Sequence, residues 1–131
     1  MKILVTIERA KDGSFWCQTE KAIHGGYLTA TGKTVQEAKE DLAECLAEAK
    51  ENLEAEGKVF PDVEFTYKYD LQSFFNYFSF LNITDIAKRS GVNPSLMRQY
   101  ASGVKNAGER TYKRLSTCVQ SIVRELETAS F

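Results

Sequence analysis

The segment that most constrains the fold is residues 83–102, with the sequence I-T-D-I-A-K-R-S-G-V-N-P-S-L-M-R-Q-Y-A-S. It predicts two short helices joined by a tight turn. Gly91 lies where the chain must turn, and glycine avoids the roughly 1–2 kcal/mol that other residues lose in a left-handed conformation. Thr84 is the predicted N-cap of the first helix. The second helix is expected to begin at Asn93 and Pro94, because asparagine caps well and proline costs nothing at the first helical position.

Hydrophobic residues in this segment fall on one face of each predicted helix. The expected inner positions are Ile86, Ala87, Val92, Leu96, Met97 and Tyr100. Two helices joined by a short glycine-containing turn are typical of the helix-turn-helix, whose second helix enters the major groove of DNA. An ordinary helical hairpin, packed by the same rules, is the alternative.

The register of the segment matches one group of helix-turn-helix proteins. Ala87 supplies the small residue four positions before Gly91, and Ile86, Val92 and Met97 fill the hydrophobic positions around the turn. On these residues the segment resembles the Cro/repressor (XRE-like) group. The resemblance implies one flanking helix before the segment and others after it.

The polar edge of the second predicted helix supplies the candidate base contacts. Ser95, Arg98 and Gln99 are expected to face base edges, since arginine suits guanine and glutamine suits adenine. The other candidate DNA-binding residues, of which all but Ser102 are expected mainly at phosphates, are Asn93, Thr84, Lys88, Ser102, Lys105 and Asn106. A homodimer, or a higher homo-oligomer, would place two such helices about 34 Å apart on a palindromic double-stranded operator.

Charge divides the chain into two halves. Residues 1–70 carry 9 Lys+Arg against 14 Asp+Glu, a balance of −5, and residues 71–131 carry 8 against 4, a balance of +4. The two sum to the formal net charge of −1. The basic half suits the phosphates of DNA, whereas the acidic half suits a basic partner. We therefore predict two modules, 1–70 and 71–131.

The first half combines strands with one long helix. Alternating, β-branched sequences predict strands at residues 2–9, 15–19, 27–31 and 63–69. A capping box, Thr34-Val35-Gln36-Glu37, begins a helix over residues 34–56. Its apolar stripe comprises Val35, Ala38, Leu42, Cys45, Leu46, Ala49 and Leu53. We expect this stripe to cover one face of the sheet; a coiled-coil seam is the alternative, because the spacing is close to a heptad.

The second half is predicted to be all helical. Residues 71–81 are aromatic and uncharged and suit a buried first helix, with a dimer contact as the alternative use of its aromatic surface. A last helix is expected over residues 109–128, with Leu115, Val119, Ile122 and Leu126 on its inner side. Its basic residues, expected in solvent, are Arg110, Lys113, Arg114 and Arg124.

The strand–strand–strand–helix–strand order and the signature Gly32-x-Thr34-x-x-Glu37-Ala38 resemble HicB-type antitoxins of bacterial type II toxin–antitoxin pairs. The resemblance implies an α+β fold, with a degenerate RNase H-like antitoxin module at 1–70 and an all-α helix-turn-helix domain at 71–131. It also implies that the chain neutralises a HicA-like, mRNA-cleaving ribonuclease toxin and represses its own operon. The chain departs from the family at residues 22–26, where a Pro-Gly loop is frequent. The alternative is a stand-alone helix-turn-helix transcription regulator whose first module dimerises or senses a small ligand.

The acidic residues do not favour catalysis. Nucleases of the RNase H type hold two metal ions about 4 Å apart with several carboxylates. The predicted first two strands offer only Glu8 and, at the end of the second, Glu20, and the acids of the helix repeat along an outward face. His24, beside two glycines, has no nucleophile with which to pair. We therefore expect no enzyme, and no catalytic, metal or cofactor site.

Composition is typical of a globular cytoplasmic protein. Hydrophobic residues make up 43% and charged residues 27% of the chain, and no apolar run approaches the roughly 20 residues of a membrane span. Cys17, Cys45 and Cys118 are odd in number and widely spaced, which fits reduced thiols. We expect no signal peptide and no membrane partner.

Overall fold

The computed structural model describes residues 1–131, which divide into a first unit, Met1–Asp70, and a second unit, Leu71–Phe131. The elements of the first unit are β1 (Lys2–Arg9), β2 (Phe15–Thr19), β3 (Thr29–Gly32), α1 (Val35–Ala55) and β4 (Glu64–Tyr69). Those of the second are α2 (Leu71–Tyr77), α3 (Ile83–Ser90), α4 (Pro94–Ala101) and α5 (Glu109–Glu127). The fold is α+β, as predicted. None of its helices has the length and apolar character that crossing a membrane requires.

The first unit contains a mixed four-stranded sheet in the order β3-β2-β1-β4. β1 runs antiparallel to β2, with Val5 opposite Thr19, and β2 runs antiparallel to β3. β1 and β4 are parallel, with Lys2 opposite Glu64. A parallel pair needs a long crossover connection, and the segment that contains α1 provides it.

One face of this sheet is covered by α1. Val5 and Ile7 of β1 are buried in one hydrophobic cluster with Ala38 and Leu42 of α1. The first half of the apolar stripe therefore packs on the sheet, and the coiled-coil alternative is wrong for Ala38 and Leu42. Only Ala38 and Leu42 are fully buried, because a helix of 21 residues, about 31 Å long, extends beyond strands of four to eight residues.

The start of α1 is fixed by the predicted capping box. The backbone N–H of Glu37 donates to Thr34 Oγ1 (3.1 Å), and that of Lys33 donates to Glu37 Oε2 (2.8 Å). At Gly32, a Cβ atom would lie 2.6 Å from the backbone nitrogen of Ala38. Ala38 itself is fully buried. Every specified residue of the Gly32-x-Thr34-x-x-Glu37-Ala38 signature thus has a role in joining β3 to α1.

The third strand begins later than predicted, at residue 29 instead of 27. Ile23 and Gly26 form an isolated antiparallel bridge across a tight turn, in which His24 and Gly25 have positive φ angles of 48° and 83°. This turn leaves Tyr27 exposed. The chain rejoins the sheet only at residue 28, where the N–H of Thr19 donates to the carbonyl of Leu28 (3.0 Å).

The second unit has one hydrophobic core formed by all four helices. Its buried members are Leu71, Phe75, Ile86, Ala87, Val92, Met97, Tyr100 and Leu115. α2 ends at Tyr77, four residues before the predicted end at residue 81. The chain turns there, because Leu81 donates to the carbonyl of Phe78 at turn spacing and Asn82 begins the next helix. As a result, Phe80 is left 81% exposed.

Candidate nucleic-acid interface

The turn between α3 and α4 has the predicted left-handed geometry. Gly91 has φ 76°, and the N–H of Val92 donates to the carbonyl of Ala87 (2.9 Å), as in a Schellman motif. Arg114 of α5 is exposed, as expected, and its Nη1 donates to the carbonyl oxygen of Gly91 (3.0 Å). The turn is therefore held by a backbone hydrogen bond within it and by the side chain of Arg114 from α5.

The predicted start of α4 is confirmed. Pro94 occupies the first turn, and the N–H of Leu96 donates to Asn93 Oδ1 (3.2 Å). Asn93 is exposed while it caps the helix. Its carboxamide oxygen is therefore already engaged by the protein.

The two sides of α4 differ sharply. Met97 and Tyr100 are buried in the core of the second unit. The opposite side carries four polar residues, which we name the α4 polar edge: Ser95, Arg98, Gln99 and Ser102. Ser95, Arg98 and Ser102 are exposed, whereas Gln99 is half-buried. The three candidate residues of α4 and Ser102, its C-cap, thus share one edge, as their spacing predicts.

The first helix of the pair begins earlier than predicted. Asn82, not Thr84, is the N-cap of α3, because the N–H of Asp85 donates to Asn82 Oδ1 (3.0 Å). Thr84 lies within the first turn and is half-buried. Its hydroxyl oxygen accepts a hydrogen bond from Nη1 of Arg98 (3.1 Å). Two candidate residues that are distant in sequence are thereby brought into contact.

The remaining candidates lie around this pair. Lys88 is exposed on α3, one turn after Thr84, and Lys105 and Asn106 are exposed in the connection from α4 to α5. The start of that connection is held against α4, because the N–H groups of Val104 and Lys105 both donate to the carbonyl of Gln99 (3.0 and 3.3 Å). No hydrogen bond joins the side chains of Lys88, Lys105 or Asn106 to the α4 polar edge.

Two supporting residues were missed by the sequence analysis. Gln72 of α2 donates from Nε2 to the carbonyl of Ser102 (3.4 Å), and a Cβ atom at Gly103 would lie 2.6 Å from Gln72 Oε1. Arg89 of α3 reaches Ser121 and forms an ion pair with Glu125, both on α5. Neither contact has a local sequence signal, since each joins residues that are 30 or more positions apart in the sequence.

Only part of the positive charge of the second unit is neutralised by ion pairs within the chain. Arg89 pairs with Glu125, and Lys113 pairs with Glu109 at 3.5 Å. Exposed basic residues without an ion pair are Lys88, Arg98, Lys105, Arg110, Arg114 and Arg124. These side chains are available to phosphate groups.

The acidic residues of the first unit are spread over its surface. Exposed carboxylates along α1 are Glu37, Glu40, Glu44, Glu48, Glu51 and Glu54. In the sheet, Glu8 lies opposite Trp16, whereas the N–H of Glu20 donates to the carbonyl of Leu4, four residues before Glu8 on the same strand. The two acids are therefore about 13 Å apart along the strand direction. No group of three or more His, Cys, Asp or Glu residues is placed to hold a metal ion.

The cysteines have raised pKa values. Burial raises the pKa of the Cys17 and Cys118 thiols. Burial, followed by the nearby carboxylates of Asp41 and Glu48, raises the pKa of Cys45. All three are free thiols. Their protonated forms are therefore favoured, and none has the lowered pKa of an activated nucleophile.

Comparison of the chain with protein-family models, with curated proteins and with solved structures found no match.

Proposed function

We propose that the chain is a HicB-type antitoxin that represses its operon through the second unit and neutralises a ribonuclease toxin through the first. The observation that carries the DNA-binding half is the α4 polar edge. Ser95, Arg98 and Ser102 stay exposed while Met97 and Tyr100 hold the same helix in the core. A helix anchored by its apolar side and open along its polar edge suits insertion into a major groove.

Each residue of the proposed interface has a chemical role. Arg98 suits guanine, Gln99 suits adenine, and Ser95 and Ser102 suit either. The residues proposed to contact phosphates and set the register are Lys88, Asn93, Lys105 and Asn106. In a homodimer, two copies of α4 would lie about 34 Å apart and bind the two halves of a palindromic operator.

Charge supports this division of labour. The second unit has a balance of +4 and the first a balance of −5. Neutralising phosphates with basic side chains releases counterions, so affinity for DNA should fall steeply with salt. The acidic first unit, with its row of exposed carboxylates on α1, suits a basic protein partner such as an RNA-binding ribonuclease.

The antitoxin assignment also draws support from the sheet. The order β3-β2-β1-β4, with β1 parallel to β4 and α1 on one face, is compatible with a degenerate RNase H-like module. The Gly32-x-Thr34-x-x-Glu37-Ala38 signature joins β3 to α1, so it supports the fold of this module and not a particular toxin contact. A helix-turn-helix following such a module completes the proposed arrangement.

The DNA-binding half is tested by selection of duplexes from a randomised library, followed by affinity measurements. We expect the wild-type protein to enrich a palindromic sequence. Arg98→Ala should cost about 1–3 kcal/mol of binding free energy and relax the preference at one base pair of each half-site. Arg110→Ala is the matched control for the loss of one positive charge, because Arg110 is an exposed cation outside the α4 polar edge; it should relax no base preference. Binding without any sequence preference would refute the repressor role.

The antitoxin half is tested by co-expression with the product of the adjacent small open reading frame. We expect the two proteins to co-purify, and the chain to suppress both mRNA cleavage and growth arrest. If no such neighbour exists, or if it does not bind, the antitoxin role fails. Sequence-specific DNA binding would then leave the alternative of a stand-alone transcription regulator.

A further inference from the structure

One hydrogen bond joins the two helices of the helix-turn-helix pair across their polar surface. Nη1 of Arg98, on α4, donates to Oγ1 of Thr84, in the first turn of α3, at 3.1 Å. Thr84 does not cap its own helix, because that role belongs to Asn82. Its hydroxyl is therefore free to orient a side chain from the neighbouring helix.

No other hydrogen bond holds the Arg98 side chain in this position. It forms no ion pair, although Asp85 lies next to Thr84 in the same turn. The first turn of a helix carries partial positive charge, which does not itself attract a cation, so the bond to Thr84 is the contact that places the guanidinium there. An arginine has five N–H donors, and the bond to Thr84 leaves donors free for a base.

We infer that Thr84 is a positioning residue for base recognition by Arg98. It holds the guanidinium toward one base pair and raises discrimination there without contacting DNA itself. An oriented arginine loses less conformational freedom when it binds the matched base, whereas a mismatched base that it does not bind gains nothing, so the difference in affinity increases. This inference rests on the proposed function, and it replaces the phosphate contact expected of Thr84 from sequence.

The test compares five proteins: wild type, Thr84→Val, Thr84→Ser, Arg98→Ala and the Thr84→Val/Arg98→Ala double variant. Valine has the shape of threonine without the hydroxyl, whereas serine keeps the oxygen. Affinities are measured by fluorescence anisotropy for the duplex that the wild type selects, for its single-base-pair variants and for an unrelated duplex. Circular dichroism melting checks that each variant is folded.

We expect Thr84→Val to lose about fivefold to tenfold in discrimination, which is the loss of one hydrogen bond of ordinary strength. The loss should fall on the base pair that Arg98→Ala also relaxes. Thr84→Ser should stay close to the wild type, and the double variant should be no weaker than Arg98→Ala alone. Affinity for the unrelated duplex should not change.

Two results would overturn the inference while leaving DNA binding intact. One is that the Thr84→Val variant discriminates between the selected duplex and its single-base-pair variants as well as the wild type does. The other is equal weakening on selected and unrelated duplexes, with losses that add in the double variant, which would make Thr84 a phosphate contact. A wild-type protein that selects no duplex would refute the proposed function, and the inference with it.

Discussion

Replacing Gly32 with alanine tests the close approach of β3 to α1. Gly32 does not have a positive φ, so the cost of a side chain there comes from contact and not from backbone strain. The added Cβ would lie 2.6 Å from the backbone nitrogen of Ala38 and from Cβ of Glu37, and 2.8 Å from the carbonyl carbon of Glu37. Real Cβ atoms essentially never show distances below 3.0 Å, so part of the structure must move.

The expected loss in the free energy of unfolding depends on which atoms obstruct the new side chain. None of them is the end of a flexible side chain, so the first turn of α1 must move away from the strand. Overpacking of this kind costs about 1–3 kcal/mol. The movement also weakens the bond from the Glu37 N–H to Thr34 Oγ1, an N-cap worth about 1 kcal/mol. We therefore expect Gly32→Ala to lower the free energy of unfolding by about 2–4 kcal/mol.

Trp16 provides the assay. It is the only tryptophan in the chain, and it lies on β2 opposite Thr31, the residue before Gly32. Its fluorescence during urea denaturation therefore reports unfolding of the first unit. Gly26→Ala is the matched control, because Gly26 also lacks a positive φ and a Cβ there would meet nothing within 4 Å. If both variants shift the stability by less than about 0.5 kcal/mol, the strand and helix are not held as rigidly as the reasoning requires.

Three further predictions concern the second unit and a surface turn of the first unit. Gly91→Ala should lower the free energy of unfolding by about 1–2 kcal/mol through backbone strain alone, since φ is 76° and a Cβ would touch nothing. Gly91→Asn should cost less, because asparagine tolerates a positive φ better than alanine. Equal losses for the two variants in thermal unfolding would contradict this reasoning. Met97→Ala should cost about 2–5 kcal/mol by leaving a cavity in the core, measured by circular dichroism, whereas a small loss would mean that the core collapses around it. Two hydrogen bonds from Ser14, the larger effect from its hydroxyl and the smaller from its N–H, lower the pKa of Asp12 below 3.8. The ionised Asp12 carboxylate therefore stabilises the fold above pH 3.8, and this stabilisation is lost as the pH falls through the folded-state pKa. Asp12→Asn should therefore be less stable than the wild type at pH 7 by urea denaturation, and the difference should shrink on acidification.

Features fixed by neighbouring residues could be predicted from the sequence. The capping box at Thr34, the left-handed Gly91 and the Asn93-Pro94 helix start all depend on residues within one turn of each other. Strand alternation likewise located β1, since Val5 and its neighbours at odd positions are buried. Such features need no knowledge of the rest of the fold, because their hydrogen bonds are local.

Features that depend on helix packing could not be predicted. Asn82 and Thr84 are both good N-cap residues, and only the position of α3 in the core decides between them. The bonds from Arg98 to Thr84 and from Arg114 to Gly91 join helices whose crossing is not encoded in spacing. The candidate interface was therefore predicted as a set of positions on one helix edge, whereas its internal contacts required the structure.

The pairing of β1 with β4 affects the order in which the first unit can be completed. Lys2 lies opposite Glu64, so partners 62 residues apart in sequence (64 − 2) must meet before the parallel pair forms. Folding slows as contacts become more distant in sequence, so this unit should refold more slowly than the helical second unit. During synthesis on the ribosome, one edge of β1 stays unpaired until β4 has been synthesised. Such an edge is a template for pairing with another strand. The edge of β1 is therefore open in incomplete chains and covered by β4 in the complete sheet.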